Sequence, residues 1–219
     1  MIKTEDLFMR FSDGSGIRYC DLRFETGRSY ALLGASGVGK STLLNLISGI
    51  LTPAEGKITA DDTVITALSP KERDRFRIRN VGYIYQDFKL LEQMSVQDNI
   101  NVLRLEGVDT SGMDALLDRL GILKLKRRKV NRLSGGEKQR VAIARALIKK
   151  PAIILADEPT GSLNYETGVG VVETLLQNAG SGTLIAVTHD DRLSPLFDQV
   201  MDMNAVAQWV PGGEATNHA

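Results

Sequence analysis

The chain has 219 residues, 42% of them apolar and 25% charged, the composition of a globular domain and not of a disordered or fibrous chain. Lys and Arg total 27 and Asp and Glu total 27, which excludes a globally basic nucleic-acid binder while leaving a local basic patch open. The single cysteine, Cys20, excludes an internal disulfide framework and any multi-cysteine metal site.

The opening stretch, MIKTEDLFMR, carries Lys3, Glu5, Asp6 and Arg10 and predicts no apolar leader. No apolar run approaches the ~18 residues of a spanning helix, so work at a membrane would need a partner. Residues 2–33 read as short strands, with Ile17–Phe24 and Ser29–Leu33 separated by a turn at Gly27. Next come Gly34 to Thr42, then Leu43, Leu44, Leu46 and Ile47 at helical spacing, stopped near Gly49. Thr52 to Leu68 carries Pro53, Gly56 and β-branched residues and suggests a further strand pair. Ser69-Pro70-Lys71-Glu72 has the form of a capping box with proline at the first helical position. The charge run Arg73–Arg79 reads as a solvated helix face, and Val81–Tyr85 as a strand ending in Gln86.

Ser95 and Asp98 cap a helix through Leu103, and Met113, Leu116, Leu117 and Leu120 form another helical stripe closed by Gly121. A basic run, Lys124–Lys129, leads into Leu133–Arg140 and the apolar helix Val141–Ile148. Ala152–Ala156 is a continuous apolar run before Asp157, and Thr183–Thr188 repeats the pattern before His189, as buried parallel strands do. This order indicates an α/β fold, with the helical stretch between Gln86 and Ile148 as an insertion. After Asn204, Gln208-Trp209-Val210-Pro211 and the glycines that follow read as a mobile tail.

Chemistry concentrates in three places. Gly34-Ala35-Ser36-Gly37-Val38-Gly39-Lys40-Ser41-Thr42 has the spacing of a phosphate-binding loop. Glycines let the backbone wrap a phosphate with its N–H groups inward, at the positive end of the following helix. Lys40 supplies a charge for the β- and γ-phosphates, and Ser41 a hydroxyl for Mg²⁺. Farther on, Ile153–Ala156 ends in Asp157 and Glu158. Two acids at the tip of an apolar strand are costly unless they serve a cation and a reaction. Asp157 is placed to hold Mg²⁺ and Glu158 to act as general base toward water. Third, Ser134 and the Gly135 and Gly136 amides open a helix and make a second anion site, or else an ordinary N-cap.

Leu133-Ser134-Gly135-Gly136-Glu137-Lys138-Gln139-Arg140 resembles the signature motif of the ATP-binding-cassette superfamily, and the resemblance runs from about residue 2 to 204. It implies a P-loop core with a mostly parallel sheet, an N-terminal antiparallel β-subdomain and an inserted helical subdomain. Residues 1–86 and 152–204 would form the nucleotide-binding core, 87–151 the signature subdomain, and 205–219 a tail beyond the domain that ends near 210. It implies an Mg²⁺-dependent ATP hydrolase that forms a head-to-tail homodimer around ATP. The signature of one subunit then closes on the nucleotide of the other, and a separate transmembrane permease is driven from the cytoplasmic face. Gln86 matches the glutamine that touches Mg²⁺ and water, and His189 the histidine that contacts the γ-phosphate. Phe11 lies where the family places an aromatic against adenine, although Phe11 or nearby Tyr19 could instead pack in the sheet. Phe88, Leu90 and Leu91 fall where the family docks its permease, with plain core packing as the alternative.

Tyr85-Gln86-Asp87-Phe88 and Ala156-Asp157-Glu158-Pro159-Thr160-Gly161 look most like the branch of lipoprotein-release, macrolide-efflux and cell-division ATPases. Two departures stand out: Asn164 replaces the family's usual Asp, and the segment around 12–23 is short. A nucleic-acid-directed member would need a long coiled-coil insertion or two cassettes in one chain, and neither is present. A regulatory module that signals through a membrane partner without transport remains the alternative function.

Overall fold

The computed structural model describes residues 1–161 and 163–212. Nine-residue β1 (Ile2–Arg10) opens an antiparallel sheet with β2 (Gly16–Tyr19), β3 (Leu22–Phe24), β5 (Glu55–Ala60), β6 (Thr63–Val64) and β11 (Ala207–Val210). Its path runs β11-β2-β1-β5-β6, with β3 also paired to β1. The second sheet is parallel and ordered β10-β4-β9-β8-β7, from β4 (Ser29–Leu33), β7 (Val81–Ile84), β8 (Ile153–Asp157), β9 (Thr183–Val187) and β10 (Gln199–Asp202). The expected α/β architecture is therefore present, with its parallel and antiparallel sheets.

Two apolar cores flank the parallel sheet, and the strand period of two sorts residues between them. Ile153 and Leu155 of β8 and Ile185 and Val187 of β9 enter one core, with α1 (Lys40–Ile47) and the antiparallel sheet. Ile154, Ala156, Leu184 and Ala186 enter the other. There they meet α3 (Val96–Asn101), α4 (Met113–Arg119), α5 (Gly135–Leu147) and α6 (Tyr165–Asn178). Burial on both faces is why β8 and β9 read as unbroken apolar runs instead of alternating ones.

Two helices begin at the caps the sequence predicts. Ser69 and Glu72 form the expected capping box of α2 (Pro70–Asn80), and Ser95 and Asp98 form that of α3. The helix expected through Leu103 is α-helical only to Asn101 and continues as a 3-10 turn over Val102–Glu106. Sequence periodicity did not mark α6, whose Gly168, Gly170 and three valines weaken the helical signal. Its burial of Val171, Val172 and Leu175 supplies the stability that propensity lacks.

The expected mobile tail needs correction over its first part. Short α7 (Met203–Val206) and then β11 follow β10, and β11 pairs antiparallel with β2 from Ala207↔Tyr19 to Val210↔Gly16. Edge pairing outweighs the Pro and Gly composition that suggested a tail. Residues 213–219 of that stretch lie outside the described residues. Among the described residues no helix is long and apolar enough to cross a membrane.

Candidate functional site

The parallel sheet order brings the sequence motifs to one edge. Loop 34–39 follows β4, His189 follows β9, Asp157 ends β8 with Glu158 after it, and Gln86 follows β7. Since β4, β9, β8 and β7 are consecutive neighbours, all these groups emerge side by side at the strands' carboxyl ends, where open α/β sheets bind ligands.

Gly34–Gly39 turns between β4 and α1 with Gly34, Gly37 and Gly39 at positive φ. Gly39 is required on two counts. Its φ of 105° is unfavourable for L side chains, and a Cβ there would sit 2.7 Å from the Tyr19 hydroxyl. Tyr19 Oη in turn donates to Gly39 O at 2.9 Å, so Tyr19 braces the loop from beneath and is a buried sheet residue. The loop has one long internal bond, Val38 N to Ala35 O at 3.4 Å. Among the described residues, the amides of Ser36, Gly37 and Gly39 have no protein acceptor. Lys40 is only 5% exposed and folds back over the loop, its Nζ donating to Gly34 O at 2.7 Å and Ala35 O at 2.8 Å. Burial lowers its pKa, opposed by the charges of Glu158 and Asp157. A buried ammonium beside amides that have no protein acceptor fits a polyphosphate.

Ser41, exposed on the first turn of α1, donates from Oγ to Asp157 Oδ1 at 2.8 Å. Desolvation raises the Asp157 pKa, while the Ser41 hydrogen bond lowers it. A partly buried carboxylate beside a hydroxyl, with the Gln86 amide nearby, is a set of hard oxygen donors suited to Mg²⁺. Among the described residues no group of three or more His, Cys, Asp or Glu could hold a metal.

Glu158 has a backbone φ of 47°, in the left-handed region, directly after the β8 tip. Its N–H donates to Val187 O on β9 at 3.1 Å, which anchors the turn. Gln86 Nε2 donates to Glu158 Oε2 at 3.1 Å, and His189 Nε2 lies 2.5 Å from Glu158 Oε1. Glu158, Thr160, His189 and Asp190 line a cleft of about 380 Å³ beside this cluster.

The other expected residues sit apart. Ser134 caps α5, its Oγ accepting from Glu137 N at 3.3 Å and its N–H donating to Glu137 Oε2 at 2.7 Å. Nothing lies within 4 Å of where a Cβ would stand on Gly135 or Gly136, so that helix end is open. No hydrogen bond among the described residues joins it to Lys40, Ser41 or Glu158 of the same chain. Asn164 caps α6, its Oδ1 accepting from Thr167 N at 2.9 Å. Phe11 is half-buried and stacks on Trp209.

Core packing describes Leu90, which rests on the helical core, but not Leu91, which is 43% exposed, nor Phe88, which belongs to neither core. Phe88 and Lys89 both have positive φ, and their carbonyls accept from Arg145 Nη2 at 2.7 Å and Nη1 at 2.5 Å. Arg145 is a position sequence reasoning missed, because a backbone acceptor leaves no pattern in side-chain identity. Close by, Tyr83, Tyr85, Val102 and Leu103 with Arg77 and Arg145 line a groove of about 370 Å³.

Comparison with known proteins gives a consistent picture. Residues 17–161 match the family model described as ABC transporter. The lipoprotein-releasing system ATP-binding protein LolD of Acinetobacter baylyi is 34% identical over 215 residues, 93% of this chain and 94% of that protein. The ABC transporter ATP-binding protein YtrE of Bacillus subtilis is 42% identical over 177 residues, covering 78% of this chain and 77% of that one. Among solved structures, the ATP-binding cassette MJ0796, a dimer in a post-hydrolysis state bound to ADP and Pi, superposes with a TM-score of 0.82. It is 28% identical and covers 97% of this chain and 100% of that one.

Proposed function

We propose a residue-level mechanism for this chain, which belongs to the ABC transporter family and is the ATP-hydrolysing subunit of a transporter system. Loop 34–42 binds the phosphates of ATP through its free amides, and Lys40 exchanges its two carbonyl partners for β- and γ-phosphate oxygens. Phe11 contributes to holding the base. Ser41, Asp157 and Gln86 are the residues that would hold Mg²⁺, which when bound offsets phosphate charge and polarises the γ-phosphoryl group. Glu158 takes the proton of the attacking water, and His189 contacts the γ-phosphate.

The observation that carries this reading is the Glu158 carboxylate, which accepts from Gln86 Nε2 through one oxygen and lies with the other 2.5 Å from His189 Nε2. Such a carboxylate is oriented before substrate arrives, as a general base requires.

Ser134, Gly135 and Gly136 act on the nucleotide of a second copy, so that two ATPs lie between head-to-tail protomers. The open, unengaged start of α5 supports that role. Residues 1–86 and 152–204 serve as the nucleotide-binding core and 87–151 as the signature subdomain. A separate transmembrane permease docks at the groove near Phe88 and holds the dimer at the cytoplasmic face of the membrane. Steady-state ATPase assays of the wild-type and Glu158→Gln proteins, paired with light scattering, test the scheme. Equal turnover in the two would remove the catalytic assignment.

A further inference from the structure

Two segments line the cleft beside Glu158. One leaves β9 through Thr188, His189 and Asp190; the other runs through Thr160, Gly161 and Leu163 into α6, whose first residue is Tyr165. Among the described residues no hydrogen bond joins 188–192 to 160–165. Arg192 spans the two instead. Its Nε and Nη2 donate to Asp190 Oδ1 at 2.8 Å and Oδ2 at 2.7 Å, a two-point fork that fixes the plane of the guanidinium. Asp190 Oδ1 also accepts from Arg192 N at 3.1 Å, and Asp190 N donates to Thr188 Oγ1 at 3.1 Å, so the residues on both sides of His189 are held. The guanidinium then lies over the Tyr165 ring, with Cζ 4.6 Å from the centroid, inside cation–π range. Next in sequence, Leu193 is buried in the helical core, 3.8 Å from where a Cβ would stand on Gly168 of α6. Tyr165 is 41% exposed and the Arg192 side chain 66% exposed, so burial places neither of them in this contact.

We propose that Arg192 and Tyr165 are positioning residues for hydrolysis: their contact ties the segment carrying His189 to the start of α6 and so keeps His189 against Glu158. This rests on the reading of His189 as the group that contacts the γ-phosphate. Neither Arg192 nor Tyr165 is among the residues assigned to the nucleotide, so the contact acts on turnover and leaves ATP binding alone. Arg192 uses an edge and a face of its guanidinium at once, which the ammonium of a lysine cannot do. Tyr165 contributes the face of its ring and not its hydroxyl.

Steady-state kinetics of single and paired variants test the contact. Tyr165→Gln, which removes the ring and keeps a good helix former, should lower kcat about fivefold. Its ATP dissociation constant by calorimetry should stay within about twofold of the parent, with a near-unchanged melting temperature. Tyr165→Phe should restore the parent rate, and Arg192→Lys should remain slow. His189→Ala removes the group being positioned, so adding Tyr165→Gln to it should slow it no further. If Tyr165→Gln turns over at the parent rate while His189→Ala is impaired, the proposal is overturned and the role of His189 stands. Slowing of the His189→Ala protein by the same factor as the parent would overturn it too, because the ring then acts by another route. A loss of ATP affinity as large as the loss of turnover would also overturn it, as general damage to the site. Parent-rate hydrolysis by His189→Ala would instead remove the γ-phosphate reading of His189, and this proposal with it.

Discussion

Glu158 and His189 meet at 2.5 Å, Oε1 to Nε2, across the gap between β8 and β9. The contact depends on neighbouring strands in the parallel sheet and on the left-handed backbone of Glu158, which turns the side chain back toward the sheet edge. A non-glycine residue held there costs on the order of 1 kcal/mol, a strain that packed surroundings sustain at functional positions.

Glu158→Gln keeps the size of the side chain and one acceptor oxygen but cannot take a proton from water. Turnover should fall ~10²–10⁴-fold while ATP binding survives. The variant should be monomeric without nucleotide and dimeric with ATP in size-exclusion chromatography with light scattering. Adding Ser134→Arg should abolish the shift, because the bulky cation fills the open start of α5. Parent-rate hydrolysis by Glu158→Gln would exclude Glu158 as the base.

Lys40→Ala removes the buried ammonium that the loop carbonyls of Gly34 and Ala35 now hold. ATP affinity and turnover should both drop, by at least tenfold in a calorimetric titration with Mg²⁺. Unchanged affinity would count against the phosphate site as a whole.

Phe88→Asp should abolish co-purification of the membrane subunit and leave the isolated ATPase folded. Asp tolerates the left-handed backbone at this position better than Phe does. Thermal melting with ATPase assay separates the outcomes, since aggregation of the variant would mean that Phe88 packs as core.

Asn164 caps α6 as well as an aspartate would, without the charge. Asn164→Asp should therefore leave the melting temperature nearly unchanged, and Asn164→Ala should cost about 1 kcal/mol. Chemical denaturation checks both. If Asn164→Asp strengthens ATP-dependent dimerisation without altering stability, the missing charge acts at the interface between copies.

Burial lowers the Lys149 pKa to about 8, and the positive charges of Arg145 and Arg77 add to the effect. The unfolded chain, with a lysine pKa of about 10.4, holds the proton more tightly. The charged form therefore penalises folding in full below pH 8, and the penalty fades as pH rises toward about 10.4. Lys149→Met forfeits the bond from Nζ to Arg77 O yet should stabilise the protein by about 1 kcal/mol at pH 7. The gain should shrink in melts between pH 8 and pH 10. A gain that is constant across that range would exclude this origin.

Legibility followed the reach of each interaction. The turn from β4 into α1, the capping boxes at Ser69 and Ser95, and the apolar strands ending at Asp157 and before His189 are local patterns, and each is found where the sequence predicts. What stayed hidden depends on distant partners. β11 exists because β2 offers it a free edge, against the Pro211 and Gly212 signal beside it. The sequence favours Phe11 over Tyr19 for the base but leaves open which of them packs in the sheet; the bond to Gly39 makes Tyr19 the buried sheet residue, while Phe11 stacks on Trp209. α6 draws on burial of Val171, Val172 and Leu175, which outweighs its two glycines.

Arg145 grips the segment after Gln86 by the carbonyls of Phe88 and Lys89. Every amino acid brings the same carbonyl, so the grip is blind to which side chains stand at these two positions. On the docking role proposed for this segment, substitution can reshape its surface while the loop stays fastened to α5. Recognition and attachment can thus evolve independently within adjacent atoms, a route by which one cassette scaffold could come to serve permeases of different sequence.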